Sequence, residues 1–329
     1  MDDIVPNKEK KPPLESYKEK KAESLKVLEL YNYDFNKQLK IKYCAVSLWR
    51  QTWEHIETKD LKERFTSRNC QLRFCPVCSW RKSLKTSSII YSNLSKLDKY
   101  DYLFLTLTLK NCKIMDLKDT LKLMSESFAR MKKTPQWQNS IRGYIRSLEI
   151  TVSKDKTMHP HFHVLLQVIP SYLKHKKTYI TQQNFTDLWQ NALKIDYKPI
   201  VDVRLIRPKG EGNNSLIASV AETVKYTLKS SDLLKLNRHS FPILDEAMKG
   251  IKTINCGGSL LHVQKISKDD DIKMSDWRLL AEELFKWERG DYVLTPIIEE
   301  SNQPEFNFDD EYFINPAFEM DDYSMGFVL

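Results

Sequence analysis

The sequence is poor in glycine and in long apolar runs. Eight glycines in 329 residues exclude collagen-like and glycine-linker architectures. No stretch of 18 apolar residues occurs, so no membrane-spanning helix and no membrane partner are expected. The opening residues, MDDIVPNKEKKPP, are charged and hold no apolar signal core, which leads to the expectation of a cytoplasmic protein. No repeat of fixed period is visible. From 299 to 329 there is no lysine or arginine, against nine acids.

What is present points to a folded chain with a charged partner. Apolar residues make up 41% and aromatics 11%, enough for a core in one large or two small domains. The net charge is +8, but residues 41–298 alone carry 43 bases against 27 acids. A basic body with a separate acidic tail fits a polyanionic partner, most often nucleic acid, and equally a lysine-rich solubilising surface.

Charge and hydropathy divide the chain. Residues 1–40 read as a flexible charged arm, turning helical from Tyr17. Residues 41–95 form a cysteine-rich segment, 96–260 a central domain, 261–298 a helical extension and 299–329 an acidic tail without a fold of its own. Asp101–Lys110 alternates at period two, as a half-buried strand does. Leu117, Leu121, Met124, Phe128 and Met131 recur at helical steps within Met115–Lys132. Gly143–Ser153 and His159–Val168 read as two strands of a hairpin, with Thr181–Leu193 a helix and Ile200–Ile206 a strand. Ser215–Lys229 and Arg278–Arg289 are expected as helices. This mixture predicts an α+β fold: a mainly antiparallel central sheet with helices packed on it.

The sharpest motif is His159-Pro160-His161-Phe162-His163, which gathers three of the seven histidines into five residues. Alternate side chains of a strand share a face, so His161 and His163 point the same way. A hairpin turn centred near residue 155 or 156 sets Glu149 opposite one of them. Two imidazoles and a carboxylate suit Mn²⁺ or Mg²⁺ with open coordination positions, and Zn²⁺ accepts the same ligands. Parity also permits His159, although Pro160 favours a place at the strand entrance for it.

The second constellation is Glu222-Thr223-Val224-Lys225-Tyr226-Thr227-Leu228-Lys229. On a helical wheel Ile217, Val220, Ala221, Val224 and Leu228 form an apolar stripe. Tyr226 falls opposite, with Glu222 four residues before it and Lys229 beside it. A phenol near a carboxylate and a metal-bearing strand has the parts needed for phosphoryl transfer.

Of six cysteines, Cys70, Cys75 and Cys78 cluster, and Cys44 lies upstream. In a reduced compartment that clustering favours metal over disulfides. Four thiolates would make a structural Zn²⁺ site; His55 is an alternative fourth ligand, and buried free thiols are the simpler reading. Cys112 and Cys256 read as ordinary core thiols.

Three motifs occur in order: the strand Phe104–Thr108, the His161-Phe162-His163 pair, and Glu222 with Lys225-Tyr226 and Lys229. They resemble those of the HUH endonucleases, and the glutamate four residues before a single tyrosine resembles the Gram-positive plasmid rolling-circle replication initiators. The Cys-Pro-Val-Cys segment between Arg73 and Arg81 is similar to segments in the same group. The resemblance spans about residues 41–260. It implies a nickase fold at 96–260, with His161 and His163 as metal ligands, Tyr226 as nucleophile and Glu222 as base for a later hydrolysis. Lys225 and Lys229 would hold DNA phosphates. The implied partners are a plasmid origin with an extruded single-stranded nick site and a host helicase, DNA polymerase and single-strand-binding protein. A homodimer is left open. A relaxase or single-strand transposase is the neighbouring alternative, and a non-catalytic zinc-containing DNA-binding regulator the one from another class.

Overall fold

The computed structural model describes residues 13–97, 100–206, 214–225, 227–265 and 276–296. Tyr226, the first twelve residues and the acidic tail 299–329 lie outside the described residues. The chain runs through α1 (Pro13–Val27), α2 (Phe35–Tyr43), β1 (Ser47–His55), β2 (Leu61–Ser67), α3 (Pro76–Ser95), β3 (Tyr102–Thr108), α4 (Leu117–Met131) and α5 (Pro135–Ser140). It continues through β4 (Ile141–Val152), β5 (Met158–Val168), α6 (Gln182–Leu193), β6 (Val201–Ile206), α7 (Asn214–Val224), α8 (Ser230–Leu233), α9 (Ser240–Ala247), β7 (Ile254–Gly258), β8 (Trp277–Glu288) and β9 (Asp291–Thr295). The fold is α+β, with helices and two antiparallel sheets, as expected.

Two compact units form. One takes its described residues from 13–25, 39–85 and 276–296, the other from 26–38 and 86–265. The second unit holds a five-stranded sheet of order β6-β3-β5-β4-β7. Its centre is the β4–β5 hairpin, whose register sets Glu149 against His161 and Ser147 against His163. The turn closes because the Asp155 carboxylate accepts the Thr157 N–H and hydroxyl, and Lys156 takes the left-handed conformation at φ 63°. On one sheet face Phe162 meets Phe128 of α4 and Trp189 of α6, and the Trp189 Nε1–H donates to the Thr108 carbonyl. On the other, Ile145 and Leu165 pack with Ile90 and Leu94 of α3, Val220 and Val224 of α7, Leu260 and Val263. Period-two alternation therefore buries both sides of β4 and β5, the pattern of a sheet covered by helices on both faces.

The first unit holds a four-stranded sheet, β2-β1-β8-β9. Tyr17 of α1 packs edge-on to Trp80 and against Phe65 of β2. The Tyr292 hydroxyl donates to the Ala45 carbonyl at 2.6 Å.

Three expectations are corrected. Residues 13–40 are not a flexible arm: α1 and α2 are helices, and Tyr17 and Lys21 are fully buried. Residues 278–288 are not a helix but lie in β8, and among the described residues no α-helix follows residue 261. Leu, Ala, Glu and Lys favour a helix there locally, but β8 pairs with β1 from Ser47↔Lys286 to His55↔Trp277, and long-range pairing outweighs weak local propensity. Arg289 and Gly290, both at positive φ, turn the chain into β9. Finally, the helix expected over 215–229 stops at Val224. β7 covers β4 only through Ser147, which leaves the Ile150 N–H needing an acceptor. The Thr227 carbonyl supplies it at 2.7 Å, and that bond draws the backbone out of the helical path.

Candidate active site and metal centres

Glu149, His161 and His163 converge. Their ligand atoms, one per residue, lie within 4.8 Å of one another. His163 Nε2 is 2.9 Å and His161 Nε2 3.4 Å from the same carboxylate oxygen, Glu149 Oε2. The imidazoles stand edge to face, 4.8 Å between centroids. Both opposite ring nitrogens are occupied: His161 Nδ1 sits 3.1 Å from the His159 carbonyl and His163 Nδ1 3.4 Å from Thr106 Oγ1. Such outer contacts fix tautomer and ring orientation, leaving Nε2 of each ring for the shared point. All three side chains are buried. Burial alone would raise the Glu149 pKa, but hydrogen bonds from His161 and His163, with the Lys225 charge, hold it well below the ordinary carboxylate range. An ionised carboxylate and two oriented imidazoles could hold a divalent cation.

Lys225, to which the resemblance gives a DNA phosphate, places its Nζ 3.6 Å from Glu149 Oε2 and in contact with Glu222 Oε1. Glu222, on the last turns of α7, is thereby brought beside the triad. The residues on either side of position 226 are both tied to β4, Lys225 through Glu149 and Thr227 through the Ile150 N–H. Lys229 is the residue before α8, where its carbonyl accepts the Asp232 and Leu233 N–H groups, and it is not part of the cluster.

The second gathering is Cys44, Cys70, Cys75 and Cys78. Sulfur separations are 3.5 Å for Cys70–Cys78 and 3.6 Å for Cys44–Cys78 and Cys44–Cys75. A regular tetrahedron with Zn–S bonds of 2.3 Å has edges of about 3.8 Å, so the four sulfurs fit one ion. The residues after Cys44 and Cys70 are left-handed, Ala45 at φ 50° and Gln71 at φ 57°. Non-glycine residues adopt that conformation at a cost, and it concentrates at functional sites. At the second of these turns the Cys70 N–H donates to the Cys44 sulfur. Hydrogen bonds from Cys44, Cys70 and Cys78 hold the Cys75 thiol well below its ordinary pKa. Lys21 lies fully buried beside the cluster, donating to the Lys42 and Cys44 carbonyls. Burial lowers its pKa while the four sulfurs oppose that shift. His55, the alternative ligand, stands apart: its ring abuts Trp277 and its Nδ1 accepts the Thr58 N–H.

Thr106 and Lys21 were not singled out from the sequence. Thr106 is signalled only by the alternation of β3, and nothing near Lys21 sets it apart from other lysines.

The sequence matches the family Rep_1, described as replication protein, over residues 62–296. The chain belongs to this replication-protein family. It is 32% identical to a "Protein rep" of Lentilactobacillus hilgardii, covering 88% of this chain and 96% of the relative. A "Protein rep" of Lactiplantibacillus plantarum is 33% identical over 84% of this chain and 89% of its own length. A third, from Staphylococcus aureus, is 36% identical over 54% and 77%. No solved structure matches. Within the family range fall the histidine pair, Glu149, Glu222 and three of the four clustered cysteines; Cys44 precedes it. No described helix is long and apolar enough to cross a membrane.

Proposed function

We propose that the protein initiates plasmid rolling-circle replication by nicking one strand of the origin. The observation that carries this reading is the Glu149–His161–His163 cluster, with Glu222 drawn to it through Lys225, in a replication-protein chain. The basic body would bind origin DNA with the steep salt dependence of phosphate neutralisation. The catalytic part is assigned to 96–260.

The scissile phosphate enters single-stranded, as in an extruded hairpin. Glu149, His161 and His163 would hold Mn²⁺ or Mg²⁺, which would supply Lewis acidity to the phosphoryl oxygens. The Tyr226 phenolic oxygen attacks phosphorus in line. The P–O bond to the 3′ oxygen breaks, the phenol loses its proton and the departing oxygen gains one. A 5′-phosphotyrosyl ester and a free 3′-hydroxyl result. One phosphodiester replaces another of similar energy, so religation needs no ATP, and the 3′-hydroxyl primes a host polymerase, aided by a host helicase and single-strand-binding protein. After one round Glu222 deprotonates a water that cleaves the regenerated origin. The tethering of residues 225 and 227 to β4 at 149 and 150 supports the Tyr226 assignment. The four cysteines are assigned a structural Zn²⁺.

The test uses the full chain with supercoiled origin plasmid and Mn²⁺, followed by peptide mapping of the covalent adduct. Open circles and an adduct on Tyr226 are expected, with Tyr226→Phe binding the origin but giving no adduct. Binding without nicking would favour the regulator reading, and an adduct in Tyr226→Phe would overturn the nucleophile.

A further inference from the structure

Three of the eight glycines meet where β4 begins and β7 ends. A Cβ on Gly257 would stand 2.4 Å from the Tyr144 ring, and one on Gly258, at φ 63°, 2.1 Å from the Arg142 carbonyl. One on Gly143 would meet Ser259 Oγ at 2.5 Å. Bare backbone there lets β4, β7 and the turn after Gly258 pack closely, and beside that junction lies an open groove of about 550 Å³ lined by Lys132, Gln138, Arg142, Tyr144 and Asn255 among others, a size typical of ligand sites.

The groove's polar groups are ordered in one direction. Lys132 Nζ donates to the Tyr144 hydroxyl at 2.8 Å, and that hydroxyl donates to Asn255 Oδ1 at 2.9 Å. With Asn255 Oδ1 fixed by the phenol, the amide presents its NH₂. Lys132 keeps two further N–H donors, because an ammonium has three. Arg142 lies over the Tyr100 ring. Arg146, the cross-strand neighbour of Asn255, is buried on the same sheet face. It lies over Phe162 and shares the Phe128 ring with Lys132. Arg146 Nε has no hydrogen-bond partner among the described residues, and burial pulls its pKa down to about 10. No carboxylate lines the groove. Two lining cations, Lys132 and Arg142, and a primed amide, with the buried Arg146 charge beside Asn255 and no carboxylate in the lining, match the acceptor oxygens of a polyanion.

We propose that this groove holds a backbone phosphate of the origin strand, at a place separate from the scissile phosphate. It is separate because Tyr144 and Glu149 point to opposite faces of β4 and stand five residues, roughly 17 Å, apart along the strand. The identification of the polyanion as DNA rests on the proposed function; the anion chemistry does not. Lys132 and Arg142 anchor the phosphate and the Asn255 NH₂ reaches a phosphate or base acceptor.

The experiment measures anisotropy of a labelled origin oligonucleotide with the full chain, between about 50 and 200 mM salt. Arg142→Gln, Lys132→Gln and Asn255→Asp are compared with wild type. Each is expected to weaken binding about fivefold, and the two cation variants to lower the salt slope by about one. Cleavage of a short oligonucleotide spanning only the nick site keeps its wild-type kcat in all three. Affinities within about twofold of wild type and unchanged slopes overturn the proposal. Arg142 is exposed, so Arg142→Gln decides the matter if Lys132→Gln fails to fold. Saturable inorganic phosphate binding with unchanged DNA affinity in the variants assigns the groove to the free ion and also overturns it. A wild type that binds DNA but cleaves nothing refutes the nickase reading while leaving these binding comparisons to judge the groove.

Discussion

His163 Nε2 lies 2.9 Å from Glu149 Oε2, across fourteen residues of sequence and one rung of the sheet diagonal. The contact gives the carboxylate a stronger role than a bystander on a polar strand face. Glu149→Gln keeps the shape and removes the charge. Mn²⁺ binding followed by calorimetry should fall about a hundredfold or more, and nicking with it, while origin affinity stays. Thr106→Val removes the outer contact to His163 Nδ1 and should cost about tenfold in Mn²⁺ affinity, the lower end for such partners. Wild-type affinity in both variants would remove the metal assignment.

The cysteine centre predicts one zinc per chain. Cys75→Ala should reduce zinc content measured by atomic absorption from one equivalent to near zero. It should also lower the thermal midpoint, since a structural ion contributes folding free energy. Full zinc occupancy in Cys75→Ala would show that the four sulfurs do not act together.

On the proposed function, Glu222 would act at termination and not at initiation. Glu222→Ala should retain nicking of supercoiled origin DNA at near the wild-type rate. Its products in a replication assay should be over-long single strands, because no base activates the terminating water. Monomer-length circles from that variant would refute the role.

Cys256 offers a check on the fold by pH. Burial pushes its thiol up to about 12. A raised pKa keeps the neutral form, so at pH 8 only about one molecule in ten thousand carries the reactive thiolate. Alkylation of Cys256 by iodoacetamide in the folded protein should be very slow, rise about tenfold from pH 8 to pH 9, and become fast on unfolding. Rapid labelling of folded protein at pH 8 would contradict its packing beside Ile145 of β4.

The sequence on its own determined whatever depends on period. Alternation in Phe104–Thr108 and around His161-Phe162-His163 defined strands, and symmetry about residue 155 or 156 set Glu149 opposite His161 or His163, of which the register takes His161. Helical spacing gave α4 and α6, and the structure adds that Thr181 and Asn184 cap α6. Local patterns fail where a distant strand competes for the same backbone. Trp277–Glu288 has helix-forming residues yet pairs with β1, and the chain after Val224 leaves its helix to satisfy the Ile150 N–H. Cys44 joins Cys70, Cys75 and Cys78 instead of His55 because tertiary packing, not spacing, closes that loop. The burial of Lys21, the Lys225 bridge between two carboxylates and the one-way relay from Lys132 to Asn255 were decided only in three dimensions. Each depends on which charges and donors come within a few ångströms of one another, and chain order does not encode that distance.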